Sequence, residues 1–225
     1  RQTRDLALQI LAAHEPELHS HSSHVAELVD GVARRMGLKG TDLSDAVRAA
    51  ELHDIGKVAM PYSLLHKAGP LDEQEWKLMR HHPVVGASIL SAAPALARVA
   101  EIVAATHERY DGSGYPRGLA GENIPLASRI VFVCDSFDAM ICERPFGEAR
   151  SEFDALREVR ACAGTQFDPG VVDAFLTEYA ARRAARLTAA AEHANAKREQ
   201  RDAPEASAPA EPRAGSPRDL SGEAV

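Results

Sequence analysis

Six side chains that bind divalent cations recur along the chain, each at a helix end or on an inward helix face: His21, His53, Asp54, His82, His107 and Asp135. Singly, each has a plain explanation. An inward histidine is usually a packing residue, and His53-Asp54 can be a chance neighbour pair at the end of a helix. Asp138 rivals Asp135 on the same helix and lies closer to its apolar face. Six such coincidences across five helices are harder to set aside. Buried acids and imidazoles are costly without partners, and a divalent metal supplies partners for all of them at once.

A second feature adjoins one of the six. "HERYDGSGYP", residues 107–116, ends a run of helix formers with a His-Glu pair and follows it with a glycine-rich turn segment. Such a segment is either a surface turn that follows a histidine or a rigid lip beside a site that includes His107.

The elements that must carry these residues are helices. Val25, Leu28, Val29, Val32 and Met36 recur at helical spacing and Gly37 ends that run; extending the wheel backwards puts His21 on the apolar stripe and Glu17 one turn earlier. Residues 41–52 form a second helix leading into His53-Asp54. Asp72 and Glu75 read as a capping box opening a helix that ends before Pro83. Pro94 opens a helix carrying Leu96, Val99, Ile102 and Val103 inward, with Thr106 inward and His107 beside it. Pro125 starts an apolar helix through Ile130, Cys134, Phe137 and Ile141. Ser151 and Asp154 cap another, and Asp168-Pro169 opens a last helix running to about Gln200. There is no internal repeat and no convincing pair of strands, so the fold class is all-α.

Composition bounds the rest. With 225 residues, 45% of them hydrophobic, the chain is long enough for one sizeable core. Its net charge of −7 argues against a DNA, RNA or membrane-surface binder. No stretch approaches the ~20 apolar residues of a membrane span. Cys134, Cys142 and Cys162 form no C-x-x-C motif, which fits a reduced, cytoplasmic protein. The chain starts at Arg1 and shows no signal-peptide pattern, leaving an upstream sensory or targeting segment open. Residues 201–225 are rich in Pro and Ala with few large apolar side chains, and are expected to be a disordered tail.

In this order and spacing, "HDIGK" at 53–57, "HHPVVGASIL" at 81–90, "HERYDGSGYPRGLAGENIP" at 107–125 and "SRIVFVCDSFDAM" at 128–140 resemble the HD-GYP family of metal-dependent phosphohydrolases. "ERPF" at 143–146 and "FDPGVVDAFL" at 167–176 extend the resemblance. It implies an HD-domain helical bundle with a metal site in its core, over residues 1–200, with the motifs between about 17 and 176. It further implies that His21, His53, Asp54, His82, His107 and Asp135 are metal ligands, with Asp54 bridging two ions and His81 not a ligand. By the same resemblance Asp135 is chosen over Asp138. Lys57 and Arg144 match residues that contact substrate phosphates, and Glu17 matches a carboxylate of members holding a third metal. The Gly114-Tyr115-Pro116 loop matches one credited with lining the substrate site and with docking a GGDEF-type cyclase domain.

Two departures stand out. Members of the family show two adjacent histidines before the glutamate, whereas this chain has Thr106-His107, and a hydroxyl is a poorer ligand than imidazole. After "RPF", where a basic residue often follows, this chain has Gly147-Glu148. The implied cofactors are two divalent transition ions, iron or manganese from the nitrogen and oxygen ligand set, with zinc as an alternative. The implied reaction is hydrolysis of cyclic di-GMP to the linear dinucleotide or GMP, by a hydroxide held between two ions, with Asp54 and Lys57 in catalytic roles. Two alternatives remain: a module that binds nucleotide or a cyclase with little turnover, its activity reduced by Thr106, and a phosphohydrolase for another nucleotide.

Overall fold

The computed structural model describes residues 2–14, 16–142 and 149–202. Ten α-helices occur among them: α1 (Gln2–His14), α2 (Pro16–Arg35), α3 (Gly40–Leu52), α4 (Tyr62–Leu65), α5 (Glu73–Met79), α6 (His82–Ser91), α7 (Ala97–Val103), α8 (Leu126–Ile141), α9 (Glu152–Ala161) and α10 (Pro169–Asp202). The 3-10 turns Ile55–Ala59, Pro94–Leu96 and Gly121–Asn123 join some of them. The described residues contain no strand, only an isolated bridge between Ala163 and Phe167, so the fold is all-α. Residues 203–225, which the composition assigns to a tail, lie outside the described residues, and α10 extends to Asp202.

The core sits where α2, α3 and α8 meet. Val25, Val29 and Val32 of α2 face Ala46, Ala49 and Ala50 of α3, all fully buried. Small side chains on α3 let its neighbours approach closely, which brings the histidines of α2 and α3 within reach of α8. Below them Phe137 of α8 packs against Phe175 and Tyr179 of α10, with ring centroids 5.0 and 4.7 Å apart. Residues 1–183 form one compact unit. A second begins at Ala184, and its described part is helical and exposed.

Local signals account for several boundaries. Asp72 and Glu75 close a capping box on α5, each side chain accepting from the other's main-chain N–H. Ser151 accepts from the N–H of Asp154 at the start of α9. The helix after Asp72 stops at Met79, ahead of Pro83 as expected, and Pro83 lies in the first turn of the next helix, α6. One boundary differs from expectation. The Pro94 helix begins as a 3-10 turn and ends at Val103, so His107 stands on a turn and not on the helix itself. The chain tightens there: the N–H groups of Ala105, Thr106 and Glu108 each donate three residues back. The Thr106 hydroxyl also donates to the Val103 carbonyl at 2.9 Å, a local bond that competes with helix continuation.

Candidate metal centre

Five separate segments deliver the expected ligands to one place. His21 comes from α2, His53 and Asp54 from the end of α3, His82 from the first residue of α6, and Asp135 from α8. His107 arrives on the turn after α7. The approach of the Asp54 turn to α6 depends on Gly56. A Cβ there would stand 2.0 Å from the His82 carbonyl oxygen and 2.6 Å from the Gly86 nitrogen, so no larger residue fits.

The ligand atoms fall into two groups that share Asp54: His21, His53 and Asp54, and Asp54, His82 and His107. Asp54 turns Oδ2 toward His53 Nε2 and Oδ1 toward His82 Nε2, each at 3.5 Å. Asp135 Oδ1 lies 2.9 Å from His21 Nε2 and 3.6 Å from His53 Nε2. His82 Nε2 and His107 Nε2 are 3.0 Å apart.

The outward ring nitrogens fix the tautomers. His53 Nδ1 donates to the Ala50 carbonyl and His82 Nδ1 to the Met79 carbonyl, both at 2.8 Å. A carbonyl only accepts, so in each neutral ring Nε2 presents its lone pair inward. His53 Nε2 is buried and has no hydrogen-bond partner. A fully buried ring nitrogen aimed at two carboxylates without a partner is what a cation site requires of its donor set. The residues present therefore fit a divalent ion in each group.

Electrostatics agree. Burial disfavours charge on His82 and His107 and lowers them to about 4 and about 3, leaving both as neutral donors. Burial acts the same way on His21 and His53. It is outweighed at His21 by hydrogen bonds to Asp135 and Asp138, which raise that ring to about 9, and at His53 by Asp54 and Asp135. Burial would raise the Asp54 carboxyl, but Lys57, His53 and His82 hold it well below the usual range. Asp135 is likewise held down against its burial, by His21 and His53. These two carboxylates keep their negative charge and draw in positive charge, whether a proton or a metal ion.

Asp138 has a place that periodicity did not assign. Its Oδ2 accepts a hydrogen bond from His21 Nδ1 at 2.6 Å, on the side of the ring away from Asp135. Asp135 thus faces the cluster while Asp138 orients the histidine from behind, the carboxylate–histidine arrangement that accompanies ligand histidines. The i, i+3 spacing of the two aspartates on α8 was the available signal. His81 is exposed, with Nδ1 directed at the Lys77 carbonyl, and stays out of the cluster. Lys57 donates to Asp54 Oδ2 at 2.7 Å. Thr106 is buried next to His107, with its hydroxyl proton committed to Val103. The Glu17 side chain and Arg144 lie outside the described residues.

The glycine-rich segment is fastened to the centre. Glu108 is almost fully buried, and its carboxylate accepts from the N–H groups of Arg117 and Leu119 at 2.7 and 3.0 Å. Its role was missed in the sequence, although an acid beside a loop of unpaired N–H groups is a natural anchor. A Cβ at Gly114 would lie 2.2 Å from the Arg109 nitrogen, so the loop closes on the 108–109 backbone only with glycine. Tyr115 stacks on His107, with centroids 5.1 Å apart and planes at 10°. On the outer side, the Arg80 guanidinium lies 5.7 Å from the Tyr115 ring centroid. Beyond it opens a cleft of about 510 Å³ lined by Trp76, Lys77, Arg80, His81, Tyr115 and Pro116 among others.

Comparison with known proteins finds relatives of the whole helical unit. The HD domain family model matches residues 5–171. A cyclic di-GMP phosphodiesterase of Thermotoga maritima is 42% identical over 162 residues, covering 71% of this chain and 44% of that protein. A 3'3'-cGAMP-specific phosphodiesterase of Vibrio cholerae is 38% identical over 169 residues, covering 74% and 32%. The chain therefore spans less than half the length of these relatives. Among solved structures, an HD-GYP-type protein of Bdellovibrio bacteriovorus superposes with a TM-score of 0.59 at 18% identity, covering 70% of this chain and 51% of that one. That likeness supports the helical fold. No described helix is long and apolar enough to cross a membrane.

Proposed function

Since the chain belongs to the HD-GYP family of HD-domain proteins, we propose that it is a metal-dependent phosphodiesterase that hydrolyses cyclic di-GMP to the linear dinucleotide or GMP. The observation that carries this reading is the division of Asp54, one oxygen toward His53 and the other toward His82. His21, His53, Asp54 and Asp135 hold one divalent ion; Asp54, His82 and His107 hold the second. The nitrogen and oxygen donors suit iron or manganese before zinc, and a third ion belongs to this reading only with Glu17 as a ligand. Bound there, the ions supply Lewis-acid stabilisation for an in-line displacement at phosphorus and acidify water.

The chain's own residues bind and orient. Asp54 joins the two halves of the centre and holds the Lys57 ammonium at its edge. Lys57, partly exposed, offers positive charge to a phosphate, as Arg144 would from the following segment. Stacking of Tyr115 on His107 places the Gly114-Tyr115-Pro116 lip directly beside a ligand, where it limits water access and bounds the substrate. Lys77 and Arg80 add positive charge on the cleft side of that lip, offsetting locally the acidity of the whole chain.

One observation favours a second reading. Thr106, where a further imidazole would stand, leaves the second group with fewer nitrogen donors, as in a module that binds cyclic dinucleotide with little turnover. The test is a panel of cyclic di-GMP, cGAMP and cyclic di-AMP with protein reconstituted in manganese or iron, products separated by chromatography. Turnover of cyclic di-GMP ahead of the others supports the proposal. Preference for cGAMP reassigns the substrate, and tight binding without product establishes the binding module.

A further inference from the structure

Outside the paired centre, the described residues bring together His24, Asp138 and Cys142, with ligand atoms all within 4.8 Å of one another. The set follows from helix geometry. His24 lies three residues beyond His21 on α2, and Asp138 three beyond Asp135 on α8, so the two helices repeat the same facing arrangement one turn on. Cys142, four residues further at the end of α8, places Sγ 3.4 Å from Asp138 Oδ2. The carboxylate is buried, the thiol partly buried and the imidazole exposed.

We propose that His24, Asp138 and Cys142 form a separate cation site, selective for zinc. The chemistry differs from that of the paired centre in one donor. A thiolate selects zinc and other thiophilic ions, whereas the imidazole and carboxylate donors of the main site do not. Three protein ligands with one open position make a common four-coordinate zinc arrangement, in which donors at ~2.0–2.3 Å stand roughly 3.3–3.7 Å apart. The Sγ–Oδ2 pair already has that spacing, and the exposed His24 ring offers the third donor within 4.8 Å of both. Binding forms a sulfur–zinc bond and releases the thiol proton to solvent. Asp138 also holds His21 Nδ1, so zinc here draws on the carboxylate that orients that ring. This coupling, unlike the site itself, rests on His21 being a ligand of the paired centre.

The test uses the whole chain, loaded with manganese, kept reduced with a phosphine and titrated with cobalt(II) as a spectroscopic probe for zinc. The expected result is a near-ultraviolet thiolate-to-cobalt charge-transfer band that added zinc abolishes. Cys142→Ser should lose the band and Cys162→Ser should keep it. His24→Gln, at an exposed position that leaves folding intact, should need at least about tenfold more cobalt, since even outer partners of metal sites are worth that much. Absence of a thiolate band in the unsubstituted protein, or an equal band in Cys142→Ser, overturns the proposal. Manganese content of the same samples reports on the paired centre, so the two readings fail separately.

Discussion

His82 and His107 point their Nε2 atoms at each other across 3.0 Å. His82 already donates its Nδ1 proton to Met79, so its Nε2 is a lone pair facing a second ring that burial also keeps neutral. Either a proton or a cation must lie between the two rings. If it is a cation, His82→Ala and His107→Ala each remove about one metal equivalent per chain and spare the ion held by His21, His53 and Asp135. Elemental analysis beside circular dichroism checks this; unchanged metal content in both variants counts against the second ion.

Asp138→Asn removes the charge that holds His21 from behind. The amide still fills the space but no longer pins the ring as a strong acceptor. Metal affinity or turnover should fall ~10–100-fold, the usual effect of losing an outer partner of a ligand histidine. The helical spectrum should be unchanged. Titration with manganese measures the shift, and wild-type affinity would show that Asp138 does not orient His21 for the paired centre.

At position 106 the expected change is a gain. Thr106 is buried beside His107, so Thr106→His places an imidazole next to the second group, at a packing cost of about 1–3 kcal/mol for the larger ring. Hydrolysis of cyclic di-GMP should then saturate at lower manganese or iron than in the wild type. Equal metal dependence would place the side chain outside the centre.

Gly114→Ala tests the lip. Its new methyl group meets the Arg109 nitrogen, and the 109–117 backbone must move. Tyr115 then loses its stacking on His107, and the midpoint of thermal unfolding should fall by several degrees, as expected for roughly 1–3 kcal/mol of overpacking. The KM for cyclic dinucleotide should rise while metal content stays constant. A variant with unaltered KM would return the segment to the status of a surface turn.

Much of this architecture was legible because its signals are local. The capping box at Asp72 and Glu75, the Ser151 cap and the Pro125 start each depend on residues within one turn, and each stands where the pattern put it. The valine stripe of α2 likewise pointed His21 inward. What escaped was tertiary. Asp138 lies 117 residues from the histidine it holds, and no period along α8 reveals which of two aspartates faces a ring on α2. The early end of α7 escaped for the opposite reason. Thr106 suited a continuing inward face, yet its hydroxyl bonded back to Val103 as the chain tightened into a turn. Glu108 read as the neighbour of a ligand, and only the folded loop showed two N–H groups converging on its carboxylate.

If Asp54 joins two cations, the metal content of the protein must depend on it twice over. Protein purified without oxygen should carry about two equivalents of iron or manganese per chain, the number a paired hydrolytic centre requires. Asp54→Ala, which removes a donor from both groups at once, should carry close to none, in contrast to the single equivalent lost on His82→Ala. A wild type free of transition metal, or an Asp54→Ala variant that keeps its full complement, would mean that Asp54 joins no metal pair.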